Sequence, residues 1–166
     1  METRLCEFCL RSGVLCSRCK EKVRSGEVSE LYMKVARFLL EIEDRYPMIQ
    51  DAKLVDVVEE DGILALVVGR GDREKFMGYG GRLIREVRDA FRRRVIVIEA
   101  GGSERRFLED LFSGYRILTI NVIWLPDGSS ETRIVLAGRR LNERRIRALT
   151  EIARRVRGIS LRVEHT

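Results

Sequence analysis

At 166 residues, with 35% charged and 45% hydrophobic side chains, the chain has enough apolar material for a core and too little bias for disorder. Its longest purely apolar run, Ile63 to Val68, is far too short to span a bilayer, and the first residues lack the apolar stretch of a secretion signal, so a soluble cytoplasmic protein with no membrane partner is expected. The net charge of +6 rests on 32 Lys plus Arg with Arg in large excess, and the planar guanidinium fork suits phosphates and base faces, so nucleic acid is the expected partner class.

All four cysteines fall in the first twenty residues, as Cys6-x2-Cys9-x6-Cys16-x2-Cys19. So short a segment cannot bury a core, and two C-x-x-C knuckles supply four thiolates able to close a tetrahedron around one structural zinc ion. An iron-sulfur cluster is the alternative for the same ligands. Disulfides do not suit a reducing compartment, and a redox C-x-x-C would be expected beside a βαβ pattern that is missing here. Lys20 to Gly26 reads as a polar link that closes this minimal knuckle, so residues 1–26 form a first segment. The units that follow carry their own cores and are expected to fold without Met1 to Arg24.

From Val28 onward Leu31, Val35, Phe38, Leu39, Ile42 and Tyr46 make one apolar stripe, predicting a long helix ended by Pro47. Lys53 to Val58 and Ile63 to Val68 read as strands, and Asp61-Gly62 between them is a hairpin signal. A short helix over Asp72 to Met77 leads into Gly78-Tyr79-Gly80-Gly81. Next comes a helix over Arg82 to Arg94, with Leu83, Val87, Ala90 and Phe91 on one face and Arg85, Arg88 and Arg92 on the other. Val95 to Glu99 reads as a strand that closes this unit, residues 27–101.

After Gly101-Gly102-Ser103 the order of elements begins again. A helix over Glu104 to Gly114 carries Phe107, Leu108, Leu111 and Phe112, and strands Arg116 to Leu125 and Glu131 to Ala137 flank Pro-Asp-Gly-Ser-Ser. A helix over Asn142 to Arg157 turns Ile146, Leu149, Ile152, Ala153 and Val156 inward, and a strand over Ile159 to Val163 completes residues 102–166. The repeat spans about sixty residues, and each copy alone would bury only about 60% of its unfolded surface, so the halves should pack together. Between Gly138 and Arg157 eight arginines stand against two glutamates, an excess equal to the net charge of the whole chain.

The fold class expected is therefore α+β, and the order α-β-β-α-α-β with a glycine loop between the last two helices resembles the type II K-homology domain. The tandem arrangement, from Ser29 to Glu164, is similar to the RNA-binding half of NusA-type transcription factors in their archaeal form. That resemblance implies a non-catalytic binder of single-stranded RNA serving transcription elongation, termination or RNA processing. Gly78, Tyr79, Gly80 and Gly81 would clamp the sugar-phosphate backbone, flanked by Arg82, with Ile84 in the groove that takes the bases. Arg85, on the charged face of the following helix, would join this RNA-binding set. Two departures stand out. Tyr79 occupies a loop position where the family usually has Lys or Arg, which suggests stacking on a base in place of a phosphate contact. The second unit has Gly138-Arg139-Arg140-Leu141 with no closing glycine and no room for a short helix, so it is a degenerate copy whose Arg139, Arg140, Arg144 and Arg147 either add secondary phosphate contacts or only solvate an exposed helix face.

An adaptor that docks on RNA polymerase or a ribosomal particle through the knuckle and first helix is the competing expectation. An enzyme is not expected. The only histidine, His165, is penultimate, and no nucleophile-base constellation or small-molecule substrate site is evident in the sequence.

Overall fold

A computed structural model describes all residues, 1–166. Two short helices, α1 (Glu7–Ser12) and α2 (Ser17–Arg24), precede α3 (Glu30–Ile42). The expected polar link over Lys20 to Gly26 is thus mostly helix, and Val28 returns its N–H to the carbonyl of Lys22 at 3.0 Å. Ser29 caps α3 by accepting the N–H of Tyr32 at 3.0 Å, and Tyr32, Val35, Ala36, Leu39, Leu40 and Ile42 are buried along one stripe. The helix stops at Ile42 and does not continue to Tyr46. Pro47 disfavours helical dihedrals at the residue before it, and Tyr46 sits at φ −131°, ψ 70° between 3₁₀ turns over Glu43–Arg45 and Pro47–Asp51.

Strands β1 (Leu54–Glu60) and β2 (Ile63–Val68) form an antiparallel hairpin, and β3 (Arg94–Glu99) lies parallel to β2, giving the order β1-β2-β3. Asp61 and Gly62 both have positive φ, 44° and 85°, which matches the right-handed twist of the strands they join. All six residues of β2 are buried. The alternation of a strand explains this: Leu64, Leu66 and Val68 join a core beneath α3 and α5 (Arg82–Phe91), while Ile63 and Ala65 join a second core on the opposite face. Between β2 and α5 lies the short helix α4 (Arg73–Met77). Helix α5 ends earlier than expected, because Arg92 takes a left-handed φ of 53°, and Ala90 is exposed instead of inward.

The second half follows with α6 (Glu104–Leu111), β4 (Arg116–Trp124), β5 (Ser130–Ala137), α7 (Glu143–Arg157) and β6 (Leu161–His165). Its sheet repeats the pattern of the first: β4 and β5 antiparallel, β5 and β6 parallel, order β4-β5-β6. The last strand starts two positions beyond the expected Ile159, after Gly158 closes α7. Phe107, Leu108 and Leu111 from α6, Phe112 just after it, and Ala148, Leu149, Ile152 and Ala153 from α7 fill the space between Val58, Ile63, Ala65 and Ile98 of the first sheet and Ile134, Leu136 and Leu161 of the second. The fold is α+β with two small sheets. The halves share one apolar core, and no helix is long and apolar enough to cross a membrane.

The cysteine segment is part of the first core and not an appendage. Leu5, Cys9, Leu10 and Cys19 are buried in the cluster that contains Tyr32, Val35 and Leu39. Glu2 donates its N–H to Ala52 at 2.8 Å and accepts that of Leu54 at 2.9 Å, extending the sheet by one bridge. Glu43, buried, is held by the amino terminus at 2.8 Å and by Arg11 at 2.5 Å. The expectation that the rest would fold without Met1 to Arg24 meets this packing: the deletion would open the end of α3 to solvent.

Candidate functional site

Each C-x-x-C pair sits at the start of a helix. Cys6 and Cys16 occupy the N-cap positions of α1 and α2, and Cys9 and Cys19 lie in their first turns, which turns all four sulfurs toward one point. The four Sγ atoms lie within 4.8 Å of one another. A tetrahedron with metal–sulfur bonds of about 2.3 Å sets its sulfurs about 3.8 Å apart, so the cluster fits a four-thiolate metal ion after a small contraction. Backbone N–H groups already point at the sulfurs: Cys16 at Cys9 Sγ (3.2 Å), Cys6 at Cys19 Sγ (3.4 Å) and Cys19 at Cys16 Sγ (3.5 Å). The N–H of Cys19 holds the Cys16 thiol down to about 6, while the Cys6 S–H, donating to the Cys19 and Cys16 sulfurs and facing their charges, is pushed up to about 12. Four sulfurs this close cannot all ionise unless a cation neutralises them. The four cysteines could therefore hold a metal ion with no coordination position left open.

The glycine loop lies at the head of α5. Tyr79, Gly80 and Gly81 have φ of 60°, 63° and 78°, three consecutive positive values that swing the chain from α4 into α5. Around Gly80 a Cβ would meet nothing within 4 Å, so its backbone is open to a second chain. Tyr79 is not open in the same way. Its hydroxyl accepts the N–H of Met48 at 2.7 Å, and its ring meets that of Tyr46 edge-on, 5.0 Å between centroids. Tyr46 in turn is hydrogen-bonded to Glu86, which Arg45 reaches at 2.8 Å. The loop is thus fastened to the Pro47–Asp51 turn, which supports the uncommon φ of Tyr79; stacking on a base would first require breaking these contacts. Arg85 Nη1 donates to the Gly80 carbonyl at 2.9 Å, arching the guanidinium over the loop, and Arg82 is exposed without an acidic partner.

Beside the loop a cleft of about 500 Å³ is lined by Ile84, Arg85, Arg88, Arg94, Val95 and Arg145. Arg94 and Arg145 also line a neighbouring hollow of about 280 Å³ with Asn142, Arg144 and the β1-β2 turn. Ile84 and Arg85, both named from the sequence, line this cleft together with Arg94, Val95 and Arg145, for which the sequence suggests no binding role. Arg145 comes from the other half, and nothing local in the sequence signals that α7 would bring it to β3. It is steadied by a hydrogen bond to Tyr115 at 2.9 Å.

Among the second-half arginines, Arg139, Arg140 and Arg147 are exposed with no carboxylate in ion-pair range. Arg144 is engaged by Asp61 through two hydrogen bonds. His165 lies in β6, where Nε2 accepts the N–H of Leu141 at 3.2 Å.

No protein-family model matches the chain, and a comparison with curated proteins finds no match. Among solved structures the chain is similar to the crystal structure of APE1850, with 19% identity, a TM-score of 0.49, and 76% of this chain and 96% of that chain covered.

Proposed function

We propose that the chain is a non-catalytic binder of single-stranded RNA, built from two tandem type II K-homology-like units of which the second is degenerate, with one structural zinc ion. The observation that carries this reading is the positive-φ backbone of Gly80 and Gly81, open at Gly80 and overhung by the Arg85 guanidinium at Gly81, next to the arginine-lined cleft that begins at Ile84 and Arg85. The element order of the first half and its parallel β2-β3 pairing agree with it.

In this reading a phosphate approaches the Gly80 and Gly81 backbone, where a side chain would stand in the way. Arg82, Arg85 and Arg88 neutralise the sugar-phosphate chain, and bases rest on the apolar floor of Ile84 and Val95. Single-stranded RNA suits a glycine loop beside a small cleft, since single strands can splay their bases into a groove. The work served would be transcription elongation, termination or RNA processing, as in archaeal NusA-like proteins. Zinc suits four thiolates with no open position, and its contribution is to hold the segment in shape.

Fluorescence anisotropy with labelled single-stranded RNA of about 12 nucleotides, titrated at several salt concentrations, tests the reading. Salt-dependent binding that is lost in Gly80→Asp is expected; wild-type binding no tighter than that of Gly80→Asp overturns it. A second reading has its own support. Phe8 and Val14, on the knuckle, are 78% and 70% exposed, which favours a docking role on a larger assembly such as RNA polymerase or a ribosomal particle. Retention of the assembly by the wild type and its loss in Phe8→Ser would support that role.

A further inference from the structure

Strand β4 is the outer strand of its sheet, and six of its nine residues are exposed. From Ile117 through Leu125 it holds no charged residue and no proline. Leu118, Val122, Trp124 and Leu125 are 41%, 49%, 74% and 39% exposed. The other outer strands are defended: β1 carries Asp56, Glu59 and Glu60, β3 carries Arg94 and Glu99, and β6 carries Arg162 and Glu164. Proteins ordinarily protect a free edge with charge, proline or cover, because unpaired N–H and C=O groups invite another strand. The shift in register between Ile117 and Thr119 bends the start of β4 and leaves Thr119 to Trp124 as a regular edge.

We propose that β4 is a self-association surface, on which two copies of this chain pair their β4 strands antiparallel across a two-fold axis and join two three-stranded sheets into one of six strands. Charge selects a second copy as the occupant. Each copy carries +6, so two approach most easily where neither presents a cation, and β4 is the one outer strand neutral along nearly its whole length.

The geometry is self-complementary as well. Ile120, Val122 and Trp124 stand opposite Ile134, Thr132 and Ser130 and so share the side of the sheet that faces the core. Only Ile117 and Ile120 of β4 reach the margin of that core, which leaves Val122 and Trp124 as an uncovered ridge. An isologous register with Val122 at the axis sets Ile120 opposite Trp124 of the other copy, an aliphatic-aromatic pair of the kind that stabilises neighbouring strands.

Sedimentation of the nuclease-treated full chain over a range of concentrations and salt tests the proposal. Wild type should dimerise, and added salt should strengthen the dimer by screening the repulsion between copies, whereas association bridged by RNA would weaken. Val122→Lys and Val122→Glu, at a position open enough to accept a charge in the monomer, should each raise the dissociation constant about tenfold or more, and an equimolar mixture of the two should recover a heterodimer. Circular dichroism confirms that each variant is folded. A wild type that remains monomeric at hundreds of micromolar overturns the proposal and leaves the edge to a different partner, and so does a Val122→Lys variant that dimerises as wild type does.

Discussion

Arg144 in α7 grips Asp61 in the β1-β2 turn with two parallel hydrogen bonds, Nε to Oδ2 at 2.7 Å and Nη2 to Oδ1 at 2.6 Å. The fork spans the two halves of the chain, and Arg155 adds a single-nitrogen contact across the same junction, its Nη1 reaching Glu60 at 2.8 Å and the Glu59 carbonyl at 3.1 Å. Such a bidentate pair fixes orientation as much as it adds energy. An arginine assigned to phosphate by its place in a basic run is thus occupied in holding α7 against the first hairpin.

That pairing sets a pH dependence. The hydrogen bonds from Arg144 hold the Asp61 carboxyl below its ordinary value. Its contribution is therefore present above the unfolded pKa of about 3.9 and is lost as pH falls through the lower folded value. Thermal melts of Asp61→Asn should show a slightly lower Tm than wild type at pH 7, with the difference closing as acid protonates Asp61. A difference that is unchanged at pH 2 would contradict the assignment.

If the four cysteines hold a metal ion, its removal should destabilise the whole first half. Cys9 and Cys19 are each 2% exposed and lie in one cluster with Leu39 and Leu54, so loosening the knuckle uncovers α3. One zinc per chain is expected by elemental analysis, and a chelator should lower Tm as far as Cys9→Ser does. Bound iron with visible absorbance, or a Tm indifferent to chelation, would count against zinc and against this coupling.

If the loop takes RNA as proposed, Gly80→Asp should weaken binding by about tenfold or more, because the new carboxylate would enter the open space that a phosphate would occupy. The positive φ of 63° adds a backbone cost of about 1 kcal/mol, which Asp tolerates better than most residues. Gly128→Asp at the β4-β5 turn has the same charge and a φ of 86°, with nothing near its Cβ, and serves as the control for anisotropy titrations. Equal losses in the two variants would remove the loop from the mechanism.

If Arg94 and Arg145 touch phosphate, replacing each with Ala should flatten the plot of log K against log salt by about 0.7 for every phosphate that is no longer neutralised. The same titration on Arg139→Ala, Arg140→Ala, Arg147→Ala tests the exposed arginines of the second half. Arg144 is left in place so that the junction is undisturbed. An unchanged slope in both variants would confine binding to the first half.

Tyr32→Phe should destabilise the protein by about 1–3 kcal/mol, or roughly 2–12 °C in Tm. The Tyr32 hydroxyl donates to the Leu54 carbonyl at 2.5 Å and accepts the Arg4 N–H at 3.0 Å, tying the knuckle, α3 and β1 together at one atom. Burial pushes this phenol up to about 12, so it remains a donor at neutral pH. A melt indistinguishable from wild type would mean that water replaces both bonds.

The sequence by itself determined what depends on neighbours a few residues away. Val35 and Leu39 announce α3 by helical spacing, Asp61-Gly62 announces the hairpin, and the four cysteines announce a metal-sized cluster, because each signal is set by local dihedrals or by the reach of a short loop. The glycine loop was legible for the same reason, since no other residue type enters that conformation as cheaply. Only the tertiary structure decided which faces meet. It buried Cys9 and Cys19 under α3, turned Tyr79 onto Tyr46, gave Arg144 to Asp61, and brought Arg145 beside Arg94. Periodicity tells a side chain to face inward without naming the partner it will find there; that choice follows from how both faces of the first sheet are covered, and Ile63 to Val68, apolar at every position, carried the one trace of it in the sequence.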